Sequence, residues 1–468
     1  MMVVAVEVGG WRWAQTLRCN GPWPFLAYPS HPHRRAAMSE TSAPELHAFA
    51  ERLRLLLPPL LSTQRSSWEQ GICAQAMLEC HRFLSGAGVD LGPGALAIPY
   101  DFVQWIYGLA HDSLVRQATD GRLSVLLNGD GASDAGALDP ACMGEALYYL
   151  CSIEAQTTTL FPSPRGATSK SLLDGVGKML DYVMHKCPRA PNSLLSHRTD
   201  ATEIWSDTIY MLPPFLASAA AFYTHPLSAE CQQPDTPRAL LKMALQQIIL
   251  AADVLQSPTG EWSHIYDLES RTFKRVAFWG VGNGWVCCGI VRVLSTLVCN
   301  TPHVDLRALG LDPTEDGELV PLLQRVYDIL LRTLRACLPY TLPSGLFPNV
   351  LGDPDAFPET NLAQMLAYTL YRLADLHAYS SRFRTLGLPG PEPGEGEEWV
   401  RRAGVLREAA VGMTDRWGFV RDVCGSPKFD SPGTAAEGQA WGVLMEVARA
   451  QYLLHKRLEE RVLARRAV

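Results

Sequence analysis

The sequence predicts an all-α chain folded as an (α/α)6 barrel, a single-domain toroid of six helical hairpins. Three observations carry that expectation. Apolar residues recur every three or four positions in twelve segments, separated by breaks rich in Gly, Pro and Asp. Strand signals are few, because no Asn-Gly turn is flanked on both sides by alternating β-branched residues. The connections at 257–280, 339–357 and 413–433 are long and rich in Gly, Pro, Asp and aromatics, so they are expected to build a site at one end.

In chain order, Met38-Ser39-Glu40-Thr41 reads as a helix start, and the first periodic segment runs over 44–61, with 68–86 and 101–117 after it. The next segment, 139–156, opens on Leu138-Asp139-Pro140, where Pro at the first helical position makes Asp139 a good N-cap. Segments 169–186, 203–224 and 237–256 lead to short turns near 260–277 that suit a small ribbon. Segments 281–299, 318–338 and 358–378 follow. The stretch 384–398, with Pro389, Pro391, Pro393 and several glutamates, reads as an exposed acidic loop before 397–412 and 434–462. Twelve helices pair into six hairpins. Residues 38–468 are expected to form one domain, and 1–37 an N-terminal extension that is disordered or a mis-assigned start, with an Arg-containing transit peptide as the alternative.

Composition narrows the function classes. A formal net charge of −7 and a pI near 6.0 argue against nucleic acid or an anionic membrane as the main partner. The 12 cysteines are scattered without zinc-ligand spacing and read as buried thiols, so no metal or other cofactor is expected. No asparagine satisfies the Asn-x-Ser/Thr rule, which favours a cytoplasmic location. No run of 18 consecutive apolar residues occurs, so no membrane span is expected. Gly280-Val281-Gly282-Asn283-Gly284 has neither the preceding strand nor the following acid of a dinucleotide fingerprint.

Two stretches carry candidate chemistry. In Trp205-Ser206-Asp207-Thr208-Ile209-Tyr210-Met211, a single carboxylate sits among apolar and aromatic residues. Desolvation there raises a carboxyl pKa, which suits Asp207 to donate a proton; alternatively it caps the helix or pairs with Arg198. In Phe278-Trp279-Gly280-Val281-Gly282-Asn283-Gly284-Trp285, two indoles and an amide surround three glycines, a surface on which a sugar ring can stack. His264 and Asp267, in a loop that also carries the aromatics Trp262 and Tyr266, could bind hydroxyls, or His264 could be a surface or hydrogen-bonded structural residue. His197-Arg198 supplies positive charge suited to a carboxylate, or is an exposed loop pair.

These stretches, with Asp353-Pro354-Asp355-Ala356-Phe357-Pro358-Glu359-Thr360 and Ser431-Pro432-Gly433-Thr434-Ala435-Ala436-Glu437-Gly438-Gln439-Ala440, resemble the unsaturated rhamnogalacturonyl hydrolases of glycoside hydrolase family 105 and the related unsaturated glucuronyl hydrolases of family 88. The resemblance spans about residues 66–450. It implies the (α/α)6 barrel and an enzyme that removes a 4,5-unsaturated uronic acid from lyase-generated oligosaccharides by protonating C4 and hydrating the C4=C5 enol ether. It implies Asp207 as the acid and base and Asp139 as its partner. His264, Trp285, His197, Arg198 and Trp68 would contact substrate, with Trp205, Trp279 and Asn283 completing the surface. One departure stands out: Val281 replaces the Arg that many members carry two residues after the first Trp. Either Arg198, Lys274 or Arg275 compensates, or the preferred substrate differs from rhamnogalacturonan. Other (α/α)6 activities on saturated sugars, with Asp139 and Asp207 as the carboxylate pair, and a silent carbohydrate-binding barrel are the alternatives.

Overall fold

A computed structural model describes residues 44–86, 101–125, 127, 133–156, 168–224, 236–298, 304–312, 317–426 and 428–466. Ala43 to Val468 form one compact unit, and the extension expected at 1–37 lies outside the described residues.

Six helices form a closed inner ring: α2 (Ser67–Gly86), α4 (Gly144–Gln156), α7 (Pro213–Tyr223), α9 (Gly280–Leu297), α11 (Asn361–Tyr379) and α14 (Ala436–Arg466). Each packs on the next, and α14 returns to α2. Six outer helices back them: α3 (Phe102–Val115) on α2, α5 (Thr168–Asp181) on α4, α8 (Thr236–Leu255) on α7, α10 (Val320–Cys337) on α9, α13 (Glu395–Gly412) on α11 and α1 (Pro44–Thr63) on α14. The ring is the expected six-hairpin toroid.

Inner and outer helices differ in pattern because they differ in surroundings. α9 is buried on nearly every side and carries hardly any charge, whereas α10 buries Leu323, Val326, Tyr327, Leu330 and Leu334 and turns Arg325, Arg332 and Arg335 outward. By length and apolarity α9 could cross a membrane, but 89% of it is buried inside the ring. Charges that do lie in the ring are paired: Arg292 of α9 meets Glu79 of α2 and Glu145 of α4, and Arg372 of α11 meets the same Glu79. Tyr368 donates to Glu79 at 2.7 Å. A half-completed network of this kind would be costly, so these ions tie four inner helices to one register.

The expected helix over 203–224 is broken. Strand β1 (Glu203–Trp205) precedes the single-turn α6 (Thr208–Met211), and Pro213 and Pro214 restart the chain as α7. A 3-10 turn, Asp139–Met143, leads into α4. The expected ribbon is present as β2 (Ile265–Asp267) and β3 (Thr272–Arg275), and β1 joins it as an antiparallel third strand, pairing Trp205 with Ile265. Two further ribbons, β4 (Phe347–Pro348) with β5 (Pro358–Glu359) and β6 (Val423–Gly425) with β7 (Lys428–Gly433), occupy the other long connections. A single turn, α12 (Ser381–Arg384), precedes α13. The acidic stretch is only partly a loop: Glu395, Glu397 and Glu398 form the first turn of α13, where the helix dipole favours negative charge.

Contacts between first turns show that the inner helices all point the same way. Gln364 of α11 donates to the Gly438 carbonyl of α14, and Trp68 of α2 donates to Glu437 of α14. Gly280, which opens α9, lies against Leu362 at the start of α11; Gly144, which opens α4, lies against Phe215 at the start of α7; and Gly71, near the start of α2, lies against Cys142 in the turn that leads into α4. Six N-terminal turns, each with partial positive charge, therefore share one mouth with the three ribbons.

Candidate active site

Two carboxylate–imidazole pairs stand at this mouth. Asp207, the residue before α6, brings Oδ2 to 3.3 Å from His264 Nε2 and accepts from Ser206 Oγ at 3.2 Å. The His264 contact is close but not aligned as a hydrogen bond, and neither ring nitrogen of this buried histidine has a hydrogen-bond partner among the described residues. Asp139 Oδ1 lies 3.1 Å from His197 Nε2, and His197 Nδ1 meets Thr208 Oγ1 at 3.1 Å. Thr208 directly follows Asp207, so the two pairs are joined through α6.

Burial alone would raise the Asp207 pKa, as the sequence suggests. The structure reverses that expectation: contact with His264 and the charges of His264 and His197 outweigh desolvation and hold the carboxyl below its usual value. His197 shifts the other way. Its burial disfavours charge, but Asp139, by charge and hydrogen bond, and Asp207, by charge, raise its pKa above the usual imidazole value. Asp139 is not the N-cap expected of it. Leu138 occupies that position without a side-chain bond, while Asp139 is the first residue of the 3-10 turn and turns to His197.

Aromatic rings back the pairs in series. Trp205 stacks on His197 with centroids 4.9 Å apart, and His264 meets the edge of Trp205 at 5.4 Å and packs on Trp279 at 4.6 Å. Glu203 accepts from Trp205 Nε1 at 2.8 Å, and Asn349 accepts from Trp279 Nε1 at 3.1 Å. Trp68, half-buried, is held by Glu437 Oε1 at 2.6 Å.

Several expected contact residues lie elsewhere. Trp285 is 2% exposed and enclosed by Tyr210 and Trp441, so it is core under the site and offers no open face to a sugar. Asn283 is wholly buried; its amide bonds the backbone of Trp262 and the carbonyl of Trp279 and thereby fixes the loop that carries His264. Arg198 does not pair with Asp207. Its Nε and Nη2 both donate to Asp200 at 3.0 Å, with the guanidinium beside the Trp205 ring. Asp267 accepts from the backbone of Glu269 and Ser270 and serves its own turn. Conversely, Glu203, Thr208 and Asn349 hold site residues that spacing did not single out. Glu203 alone left a trace, since alternation along a short strand puts it on the same face as Trp205.

Among the described residues no group of three or more His, Cys, Asp or Glu is arranged to hold a metal ion. The site is a cluster of carboxylates, imidazoles and indoles on an (α/α)6 frame. A model of Glycosyl Hydrolase Family 88 matches residues 155–375. The chain is 24% identical over 212 residues to the unsaturated rhamnogalacturonyl hydrolase YesR of Bacillus subtilis; the alignment covers 44% of this chain and 53% of that protein, about half its length. A structure from Salmonella enterica, described as a possible member of glycoside hydrolase family 105, superposes with a TM-score of 0.60 at 14% identity over 91% of this chain and 99% of that one. A glycosyl hydrolase family 88 structure from Bacteroides vulgatus gives 0.54 at 13% identity, over 87% and 99%. The chain is thus similar to members of glycoside hydrolase families 88 and 105, in line with the resemblance of its motifs.

Proposed function

We propose that this protein is a glycoside hydrolase that releases a 4,5-unsaturated uronic acid from the non-reducing end of lyase-generated oligosaccharides. One observation carries the reading: Asp207 is a partly buried carboxyl held between His264 and the His197–Asp139 pair at the mouth of the inner ring. Asp207 protonates C4 of the enol ether, leaving an oxocarbenium-like centre at C5. Water adds at C5 as Asp207 takes back its proton, and the resulting hemiketal opens and expels the remaining sugar.

In the free site the two imidazoles keep Asp207 ionised at neutral pH. A substrate carboxylate drawn to the same cluster would offset their charge and let Asp207 take up the proton it donates. Asp139 is committed to His197, which speaks for one acid assisted by a held imidazole rather than for two free carboxylates flanking a saturated glycosidic bond. The described cysteines, all free and buried, agree with a reducing, cytoplasmic setting.

The test follows the ultraviolet band of the conjugated uronate in pectin- and glycosaminoglycan-derived disaccharides. Wild type should bleach the band for at least one substrate. Asp207→Asn should bind that substrate and lose turnover by about three orders of magnitude or more. A band that persists with wild type across the panel would overturn the proposal.

A further inference from the structure

A uronate carries a charge that the two carboxylates of the site oppose; the imidazoles facing those carboxylates offset part of that opposition, and a forked grip on the uronate calls for a further cation with free donors. Three basic side chains border the aromatic wall. Arg198 already spends two donors on Asp200 in a forked pair. Lys274 is held by Glu203, with Asp267 at 3.7 Å, and Glu203 in turn fixes Trp205. Arg275 is differently placed. Its guanidinium carbon lies 5.9 Å from the centre of the Trp279 ring, on the indole that packs against His264. Its backbone carbonyl accepts from the backbone N–H of His264 at 3.2 Å, which ties its position to the residue facing Asp207. Its only side-chain hydrogen bond runs from Nη2 to Asp430 at 2.9 Å, leaving Nε and Nη1 without a partner among the described residues. Asp430 itself is 79% exposed and can leave Arg275 at little cost.

We propose that Arg275 selects an anionic sugar, its guanidinium forking onto the substrate carboxylate beside Trp279 while Asp430 holds that place in the free protein. The inference rests on the uronyl-hydrolase reading and adds the residue that supplies the charge. A planar guanidinium against an indole matches a carboxylate that approaches edge-on, which a lysine ammonium cannot do.

Steady-state kinetics with an unsaturated uronyl disaccharide and its methyl ester test the proposal in wild type, Arg275→Gln, Arg275→Lys, Asp430→Asn and Lys274→Gln. Arg275→Gln should raise KM for the acid about ten- to a hundredfold with kcat nearly unchanged, and leave KM for the ester unchanged. Arg275→Lys should fall between, and Asp430→Asn should lower KM for the acid. An equal change for acid and ester, no change, or a selective effect in Lys274→Gln instead would overturn the assignment. Wild type that turns over neither compound sinks the hydrolase reading. Equilibrium titration with the acid and the ester then decides Arg275 separately: a preference for the acid that Arg275→Gln abolishes upholds it, and its absence removes it.

Discussion

Asp207 shows how little a local sequence says about a titration. The stretch around it along the chain is largely apolar and aromatic and argues for a raised pKa, yet His264, 57 positions later, and His197, ten positions earlier, lower it through space. Removing one imidazole should therefore raise the Asp207 pKa. In His264→Gln the pH limb of kcat/KM assigned to Asp207 should move upward by about 1–2 units, because a protonated acid then persists to higher pH. An unmoved limb would mean that another group governs the profile. Val281 illustrates the complementary point. It is 2% exposed and belongs to the packing of α9, so this position presents no charge to the mouth; under the proposed function another element supplies it.

At the scale of elements, the site depends on how closely α9 approaches the segment that carries Asp207. Gly289 packs so tightly on Ile209 that a Cβ would fall on the Ile209 carbonyl, which is backbone and cannot swing aside. Gly289→Ala should cost about 1–3 kcal/mol of stability by overpacking and displace α6, so that kcat falls as well. Denaturant unfolding together with turnover checks this; a stable and fully active variant would show that α6 does not position the acid. The broken helix at 203–224 has a related cause. The β1–β2 pairing and the proline pair hold Asp207 at a junction instead of on a helix face, and Thr208 can then reach His197. Periodicity detected the apolar run but not the break, since a buried strand and a buried helix turn look alike over a few residues.

For the whole molecule, converging N-terminal turns bring buried carboxyls to the mouth. Glu359 binds the backbone N–H groups of Asn361 and Leu362 at the start of α11, and Glu437 holds Trp68 from the start of α14. Burial pushes both from the usual 4.5 to about 7. A raised carboxyl pKa means that the folded state keeps a proton the unfolded chain releases above pH 4.5. The stability each group contributes is full below that pH and lost as pH rises to about 7, on the order of 3 kcal/mol per group. The thermal midpoint should thus fall between pH 5 and pH 8, and Glu437→Gln, which keeps the acceptor for Trp68, should flatten that fall. A midpoint that is flat in wild type would contradict it.

The sequence by itself determined the helical class, the count of twelve segments paired into six hairpins, the buried thiols and the motifs that point to Asp207, Asp139 and His264. The helical class, the segments, the thiols and Asp207 follow from periodicity or residue type along the chain, whereas Asp139 and His264 stand out only through the resemblance of their motifs to a known family. Only the tertiary structure decided which side chains meet: that Asp139 serves His197 instead of a helix end, that Trp285 and Asn283 are core, and that Arg275 lies beside Trp279 with donors to spare. The reason is physical. Burial and charge act through space over a few ångströms, and closing twelve helices into a ring brings together residues more than a hundred positions apart, a proximity that no local pattern encodes.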